Sequence, residues 1–274
     1  MSKLGIITNN QRGVFQQLVI QGASEIASQQ RYQVVIHSTI DLPPSHQWLD
    51  PSTVDGILVI ANAASDDYLR EVYRMNMPLS LISYQVPDLP IPVIMSNNAQ
   101  GMAELVRHVI MDCGRRQIVF IRGIMEQSDA VERETTFRRE LMRYNLEVPE
   151  EYFIRGDFSP EVAAESMRRL IHSGASFDAA IAADYLMAIA AVRELRNAGI
   201  QVPEHVSVVG FGDAQEAEQS GLTTVGANVQ ELGRRAAYQL ISQVRGLKIR
   251  GVTRLSVELI VRDTCGCRET MGTL

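Results

Sequence analysis

Short apolar runs alternate with longer amphipathic segments along almost the whole chain, and this alternation constrains the fold more than any other feature. Examples of the apolar runs are KLGIIT at 3–8, QVVIHS at 33–38 and DGILVIA at 55–61. Between the first two runs, apolar residues recur at helical spacing from Val14 to Ala27. Strands that alternate with helices in this way predict parallel sheets with helices on both faces. The continuous apolar character of the runs is typical of strands that are covered on both faces.

The alternation comes in two batches that divide near residue 115, and we therefore predict an α/β protein with two doubly wound parallel-sheet lobes. One more helix and one more strand, RLSVELIVR at 254–262, follow the second batch, so the chain is expected to return to each lobe. The predicted division assigns 1–115 and 228–251 to one lobe, 116–227 and 252–264 to the other, and 265–274 to an exit tail. A two-lobed body of this kind is expected to have a cleft at the carboxyl ends of its strands, where ligands of open parallel sheets bind.

The composition indicates a soluble globular protein, with 46% hydrophobic and 21% charged residues. Its net charge of −6 disfavours a domain that binds nucleic acid by itself, since such domains usually carry a basic face. The apolar run in the N-terminal MSKLGIITNN is too short for a signal peptide, and no stretch approaches the roughly 18 apolar residues of a membrane span. We therefore expect a cytoplasmic protein with no membrane partner. The three cysteines fit reduced, non-structural thiols.

The stretch IQVPEHVSVVGFGD at 200–213 ends an apolar strand on two glycines and an acid. Glycines at the end of a strand let a ligand approach the backbone closely. The stretch continues as Ala214-Gln215, so the dinucleotide-binding motif Gly-x-Gly-x-x-Gly is not completed, and the chain has neither a P-loop nor a nucleophile-elbow motif. The residues alone leave open whether a phosphate, a substrate or a small signal molecule approaches there. They show no complete catalytic or cofactor-binding motif, so we predict no cofactor.

Metal-ligand spacing is also missing from the sequence. No two of the five histidines are four residues apart, as the histidine pair of a helical zinc site would be. Cys265-Gly266-Cys267 has the residue types for half of a metal site, but Cys113 is remote in the sequence and no paired Cys or His follows. The sequence therefore predicts no metal site and a tail with free thiols.

Four segments together resemble the ligand-binding domains of the lactose/galactose-repressor family. The most specific is DAAIAADYLMAIAAVRELRNAGIQVPEHVSVVGFGD at 178–213, and the others are SNNAQGMAELVRHVIMDCGRRQIVFIRG at 96–123, RETTF at 133–137 and LTTVGANVQELGRRAAYQLI at 222–241. The resemblance implies the periplasmic-binding-protein-like type I fold, in which two doubly wound lobes are joined by three crossovers. It also implies a sensor of small effectors rather than an enzyme.

The resemblance assigns candidate ligand-binding residues, which are Asn9, Phe15, Asn62, Ser83, Asn97, Arg133, Asp184, Phe211 and Asp213. Phe15 falls where the family stacks an aromatic ring on a sugar or base, and Arg133 falls on the family's ligand-gripping arginine. A guanidinium suits vicinal hydroxyls or a carboxylate because it presents a rigid fork of donors. Simpler roles stand beside these: Phe15 as a core residue, Arg133 as a solvated helix arginine, and Asp184 as the N-cap of the helix that follows it.

The sequence departs from the family pattern at several of the implied contact positions. Gly212 and Ala183 stand where the family has an acid and an asparagine, and Asn97 stands in place of an aspartate. Thr136 replaces a glycine, and Ala227 sits where a polar contact is common. With fewer acids, the ligand is expected to be less hydroxylated than a hexose or to be anionic. Alternatively, the domain has lost its ligand and serves in dimerisation.

The same resemblance bears on partners and output. Repressors of the family carry a helix-turn-helix head before the first strand, which begins here at Lys3, so this chain alone is not expected to bind DNA. The final VRDTCGCRETMGTL resembles the exit of sensor domains fused to diguanylate cyclase or kinase modules. We expect a homodimer that responds to a sugar-like or anionic metabolite. A ligand-free scaffold module and an enzyme on a doubly wound fold are the alternatives.

Overall fold

The computed structural model of the protein describes residues 2–39 and 53–267. Within these ranges the chain forms twelve strands and eight α-helices. The strands are β1 (Lys3–Thr8), β2 (Gln33–Ser38), β3 (Gly56–Ile60), β4 (Leu79–Ile82), β5 (Pro92–Ser96), β6 (Ile118–Arg122), β7 (Phe153–Arg155), β8 (Ala179–Ala182), β9 (Ser207–Phe211), β10 (Thr223–Ala227), β11 (Gly251–Leu255) and β12 (Val257–Ile260). The helices are α1 (Val14–Gln29), α2 (Asp66–Arg74), α3 (Asn98–Arg107), α4 (Ser128–Arg143), α5 (Pro160–His172), α6 (Tyr185–Asn197), α7 (Gln215–Gln219) and α8 (Val229–Val244).

The strands form two six-stranded sheets of corresponding order. The first sheet runs β11-β5-β4-β3-β1-β2, and all of its strand pairs are parallel. The second runs β12-β10-β9-β8-β6-β7, and its strands are parallel except for β12, which pairs antiparallel with β10. The predicted fold of two parallel-sheet α/β lobes is confirmed.

The chain divides into two compact units, one around each sheet. The first unit is Met1–Ser96 with Asn228–Leu255, and the second is Asn97–Ala227 with Ser256–Leu274. The first division lies after Ser96 rather than near residue 115, because α3 packs against α4 and buries Met102 and Leu105 in the core of the second unit. The chain returns to the first unit between Ala227 and Asn228.

The predicted final strand, 254–262, is two strands that belong to different units. β11 extends the first sheet beside β5, and β12 extends the second sheet beside β10. Ser256 separates them and is the first residue of the chain's last segment in the second unit. An uninterrupted apolar pattern carries no mark of such a change of sheet, which explains why the sequence shows a single strand here.

Side-chain caps fix the starts of three helices. Ser159, Asp184 and Asn97 each accept a hydrogen bond from a backbone N–H in the first turn of the helix that they cap. Asp66 and Asp67 lie in the first turn of α2, where acids interact favourably with the helix dipole.

Helices α1 and α8 of the first unit approach each other through two glycines. A Cβ atom added at Gly22 would lie 2.0 Å from the backbone oxygen of Gln230, and one added at Gly233 would lie 2.0 Å from that of Val19. The helix pair covers one face of the first sheet, with Leu58, Ile60 and Leu240 in the same apolar cluster.

The cysteines differ from the sequence prediction. Cys113 and Cys267 form a disulfide with a Cα–Cα distance of 5.3 Å across 154 residues of sequence. Cys265 has a free, buried thiol. The expectation of non-structural thiols in an exit tail was wrong for 265–267, because pairing of β12 with β10 brings this segment back against the second unit. Residues 268–274 of the predicted tail lie outside the described residues.

No helix among the described residues is both long and apolar enough to cross a membrane.

Candidate functional site

The carboxyl ends of the parallel strands in the second unit form one edge, which we call the second edge. It carries the residues that directly follow β6, β7, β8 and β9. Three predicted residues, Asp184, Phe211 and Asp213, belong to it by position. Open parallel sheets bind ligands at this edge, so a ligand-binding site of the second unit is expected there.

Arg133 on α4 is held at the second edge by contacts on several sides. Its Nε donates to Asn98 Oδ1 at 2.9 Å, and its Nη1 donates to the Ala183 carbonyl oxygen at 2.6 Å. The guanidinium carbon lies 3.8 Å from the centre of the Phe211 ring, a cation–π distance. The Arg133 side chain is only 11% exposed. It is therefore an ordered, nearly buried guanidinium and not the solvated helix arginine of the alternative interpretation.

A buried carboxylate and an amide complete the support of Arg133. Asp129, one turn earlier on α4, has its Oδ2 3.7 Å from Arg133 Nη2, and its Oδ1 accepts from Asn98 Nδ2 at 2.8 Å. The same amide donates to Glu132 at 3.3 Å. Burial lowers the pKa of Arg133, while the negative charges of Asp129, Asp184 and Glu132 act in the opposite direction. The network fixes the guanidinium but leaves Nη2 beyond hydrogen-bond distance of Asp129.

Asp184 both caps α6 and faces the charge of Arg133. Its Oδ1 accepts from the Met187 N–H at 3.0 Å. Burial raises the pKa of Asp184 to about 6, although backbone hydrogen bonds and the positive charge of Arg133 oppose the rise. The predicted N-cap role is observed, and the elevated pKa marks the carboxyl as a candidate functional group.

The backbone turn at the end of β9 depends on Gly212 and its neighbour Tyr185. Gly212 has a φ of +97°, and a Cβ atom there would lie 3.1 Å from the Tyr185 ring. The bend is fixed by the Thr224 hydroxyl, which lies within hydrogen-bond distance of two carbonyl oxygens, 2.8 Å from that of Gly210 and 2.6 Å from that of Gly212. The glycine thus serves the backbone turn and the aromatic neighbour.

Asp213 has a strong internal partner. Its two carboxylate oxygens accept from Arg262 Nη1 and Nη2 at 2.8 and 3.0 Å. The Asp213 side chain is 23% exposed, and that of Arg262 is 14% exposed. A bidentate arginine occupies the main acceptor sites of the carboxylate. The pair therefore fixes the end of β9, and Asp213 is poorly placed to accept from a ligand.

Phe211 is also placed differently from a ligand-stacking residue. Its ring is 2% exposed and lies beneath Arg133. Gly101 on α3 packs so close to it that an added Cβ would be 2.7 Å from the ring. Phe211 therefore supports the guanidinium from within the core.

We call the carboxyl ends of the parallel strands in the first unit the first edge. Asn9 follows β1, Asn62 lies two residues beyond β3, and Ser83 follows β4. Asn9 Nδ2 donates to Asn62 Oδ1 at 3.3 Å. The buried oxygens Asn9 Oδ1 and Ser83 Oγ have no hydrogen-bond partner among the described residues. Buried polar atoms normally have partners, so the first edge presents unused acceptor or donor capacity.

The two remaining predicted residues lie at helix starts. Phe15, in the first turn of α1, is half-buried and packs against the apolar cluster of the first unit, so its core role is real and part of the ring stays accessible. Asn97 caps α3 through Gln100 N at 3.3 Å, and its Nδ2 donates to Gln100 Oε1 at 3.1 Å.

Sequence reasoning missed three residues at the second edge. Asn98 and Asp129 anchor Arg133, and Tyr185 lies beside Gly212. A fourth, Phe158, follows β7 with a φ of +53° and packs over Gly123, where an added Cβ would be 2.3 Å from its ring. An aromatic residue in the left-handed region is a strained conformation of the kind that clusters at functional sites. Only Asn98 had a signal in the sequence, its place in the Asn-Asn pair.

Comparison with known proteins gives consistent results. Residues 107–265 match the model of a family described as the periplasmic binding protein-like domain. The chain is similar to the probable HTH-type transcriptional repressor ExuR of Bacillus subtilis (strain 168), at 25% identity over 262 residues, 94% of this chain and 78% of that protein. It is similar to the HTH-type transcriptional regulator CelR of Thermobifida fusca, at 28% identity over 254 residues, 90% of this chain and 74% of that protein.

Solved structures share the architecture. A complex of the transcriptional regulator CelR with cellobiose superposes with a TM-score of 0.84 at 26% identity, covering 96% of this chain and 84% of the other. The lac repressor dimer bound to operator and the anti-inducer ONPF superposes with a TM-score of 0.85 at 21% identity, covering 96% of this chain and 94% of the other, which shows the common fold.

Proposed function

Because the chain belongs to the family of periplasmic binding protein-like domains, as a ligand-binding domain of the lactose-repressor type, we propose that it binds a small effector and thereby regulates transcription. The relatives are transcriptional regulators and not enzymes, and the chain is accordingly a regulatory domain. The same relatives support action in the cytoplasm, where transcription takes place.

The observation that carries the proposal is the fixed guanidinium of Arg133. Asn98, the Ala183 carbonyl group and Phe211 hold it in one orientation before any ligand arrives. Its Nη2 makes no hydrogen bond among the described residues, so donor capacity remains at the second edge. A pre-oriented charged donor binds a carboxylate or a pair of hydroxyls with little loss of side-chain entropy.

The charges of the second edge favour an effector with acceptor groups. Asp213 is occupied by Arg262, and Asp184 already accepts from the backbone of α6. Few acceptors therefore remain for the hydroxyl protons of a neutral sugar, whereas the donors of Arg133 remain available. A sugar acid or another small anionic, sugar-like metabolite fits this inventory better than an unmodified hexose. The first edge, considered by itself, has the uncharged polar atoms Asn9 Oδ1 and Ser83 Oγ without a hydrogen-bond partner among the described residues.

Regulation follows if the effector has different affinities for two conformations of the domain, because binding shifts the equilibrium only by that difference. A homodimer forms part of the proposal. Its support is a groove in the first unit whose lining includes Tyr73 and Leu247, which are 37% and 62% exposed. Large apolar side chains in an exposed groove are typical of protein interfaces.

Calorimetric titration of the full chain with neutral sugars, sugar acids, nucleobases and amino acids tests the proposal. Arg133→Ala is expected to weaken binding of the active compound by about 10- to 100-fold, the effect of losing a hydrogen bond to a charged group. The matched control is Arg139→Ala on the same helix, an arginine that pairs with Glu140 and is half exposed. This variant is expected to bind like the wild type.

Saturable binding that Arg133→Ala removes and Arg139→Ala keeps supports an effector domain. Binding that both variants keep contradicts the role of Arg133. A stable dimer with no response to any compound of the panel favours the scaffold alternative.

A further inference from the structure

Four side chains that could bind a metal ion lie close together in the second unit, and none of them is among the residues named at the second edge. His108, Cys113, Cys265 and Cys267 each direct one ligand atom into a cluster whose members all lie within 4.8 Å of one another. Cys265 is 1% exposed, His108 is 3% exposed and Cys267 is 8% exposed. The disulfide between Cys113 and Cys267 uses two members and leaves a thiol and an imidazole that also face the cluster.

Local backbone geometry brings the first two ligands together. A π-helical turn, His108–Asp112, follows α3, and the Cys113 N–H donates to the His108 carbonyl oxygen at 3.0 Å. This five-residue hydrogen bond places residues i and i+5 side by side, which an α-helical turn would not do. Cys113 Sγ consequently lies 3.6 Å from His108 Nε2. Two ligands of a tetrahedral zinc ion with ordinary bond lengths are separated by about the same distance, roughly 3.5–3.8 Å.

The other two ligands are fixed by a turn at the end of the described chain. Gly266, with a φ of +77°, lies between Cys265 and Cys267. Thr264 anchors the turn, since its hydroxyl donates to the Val208 carbonyl oxygen at 2.7 Å. The Ser207 hydroxyl donates to the Cys265 carbonyl oxygen at 2.8 Å. The turn that carries both cysteines is therefore held against β9 by hydrogen bonds from side-chain hydroxyls to carbonyl oxygens.

The histidine is oriented as metal-binding histidines are. Asp112 Oδ2 lies 2.9 Å from His108 Nδ1, on the side of the ring opposite the cysteines. A carboxylate there accepts the Nδ1 proton and leaves the Nε2 lone pair directed at the sulfur atoms. Carboxylate partners of this kind accompany zinc-bound histidines, and their loss typically weakens metal binding 10- to 100-fold.

We propose that the reduced chain binds one Zn²⁺ ion through His108 Nε2 and the thiolates of Cys113, Cys265 and Cys267. Three sulfurs and one imidazole nitrogen are a donor set of structural zinc sites. With four protein ligands the coordination is closed, so the ion is structural and joins the turn after β12 to the end of α3. The sequence predicted no metal here because Cys113 is more than 150 residues from the other two cysteines.

The disulfide and the zinc site are alternative states of the same residues. Reduction with a water-soluble phosphine breaks the Cys113–Cys267 bond and oxidises the phosphine to its oxide. Water supplies the oxide's oxygen and the two protons that the new thiols receive. Binding of Zn²⁺ then releases the three thiol protons to the buffer, while the histidine contributes a lone pair.

The test is metal binding by the full chain after phosphine reduction and removal of metals. One equivalent of Zn²⁺ is expected by elemental analysis, and Co²⁺ in its place is expected to give the visible spectrum of a tetrahedral thiolate site. The deciding variant is Cys265→Ser, which leaves both disulfide cysteines intact. It is expected to bind zinc at least 10-fold more weakly, as is Asp112→Asn, whose partly exposed side chain makes its folding robust. His172→Ala, at the exposed end of α5, is the control and is expected to bind one equivalent.

Absence of bound metal in the reduced wild type overturns the proposal. It is also overturned if Cys265→Ser and Asp112→Asn bind zinc as tightly as the wild type. Should Cys265→Ser fail to fold by circular dichroism, the affinity of Asp112→Asn decides by itself.

Discussion

The residues named at the two strand-end edges differ in polarity, although the two sheets have corresponding strand orders. The second edge is charged, and its charges already have partners: Arg133 with Asn98 and Asp129, and Asp213 with Arg262. The residues named at the first edge, Asn9, Asn62 and Ser83, are uncharged, and the buried oxygens Asn9 Oδ1 and Ser83 Oγ have no hydrogen-bond partner among the described residues.

The difference indicates two ways of preparing a binding surface. Buried charges are costly unless they are paired and hydrogen-bonded, so the second edge must be organised in the folded protein before any ligand arrives. Leaving a neutral amide or hydroxyl group without a partner costs less free energy, so Asn9 and Ser83 at the first edge can keep unbonded oxygens in the folded protein. Substitutions at the second edge should therefore lower stability, whereas those at the first edge should change binding alone.

The largest effect is expected for Asn98→Ala. Asn98 is fully buried and joins Arg133 to Asp129, so its loss leaves a buried donor and a buried acceptor without their shared partner. We expect the free energy of unfolding to fall by about 3 kcal/mol. The neighbouring Asn97→Ala removes an N-cap bond and an exposed contact with the Gln100 side chain, and it is expected to cost about 1 kcal/mol. Urea denaturation of both variants checks the order, and equal losses would remove the distinction between a buried network and a cap.

An intermediate effect is expected from the titration of Asp184. Its folded pKa, about 6, lies above the unfolded value of about 4, so between these pH values the folded state binds more protons. Stability from this group is therefore complete below about pH 4 and is lost as pH rises to about 6. The expected loss is about 1–2 kcal/mol, because partial solvation reduces the full effect.

Asp184→Asn retains an N-cap acceptor but does not titrate. Denaturation midpoints of the wild type and this variant between pH 4 and 7 should therefore diverge as pH rises, with the wild type becoming relatively less stable. Parallel curves would show that Asp184 has an ordinary pKa and that the second edge tolerates its charge.

The smallest effect on stability is expected for Ser83→Ala at the first edge. The Ser83 hydroxyl makes no hydrogen bond among the described residues, so the free energy of unfolding should change by less than about 0.5 kcal/mol. Effector affinity should fall about 2- to 10-fold, the value of one neutral hydrogen bond. Ser80→Ala, within β4 and also without a partner there, is the control that should change neither quantity. A stability loss confined to Ser83→Ala would mean that the hydroxyl serves the fold.

Part of the second edge could be anticipated because it depends on local sequence, and the ligand-binding role of its residues stays a prediction. The family resemblance placed Arg133 and Asp184 at the second edge, and the apolar helix start after Asp184 indicated its capping role. Asp213 was predicted at the end of a strand, and it lies just after β9. Its partner Arg262 is 49 residues further along the chain, and nothing in the sequence indicates that the two pair. Phe211 was predicted to meet ligand, yet its ring lies under Arg133, since the sequence does not show which face of a buried strand supports another side chain.

The sequence by itself determined the α/β class, the two sheets and the cap at the start of α6, because periodicity and capping act within a few residues of the chain. Tertiary structure alone decided where β11 ends and β12 begins, that α3 joins the second unit, and that three cysteines and a histidine meet. These features depend on contacts between segments that are far apart in sequence, and such contacts form only when the apolar faces of the elements pack.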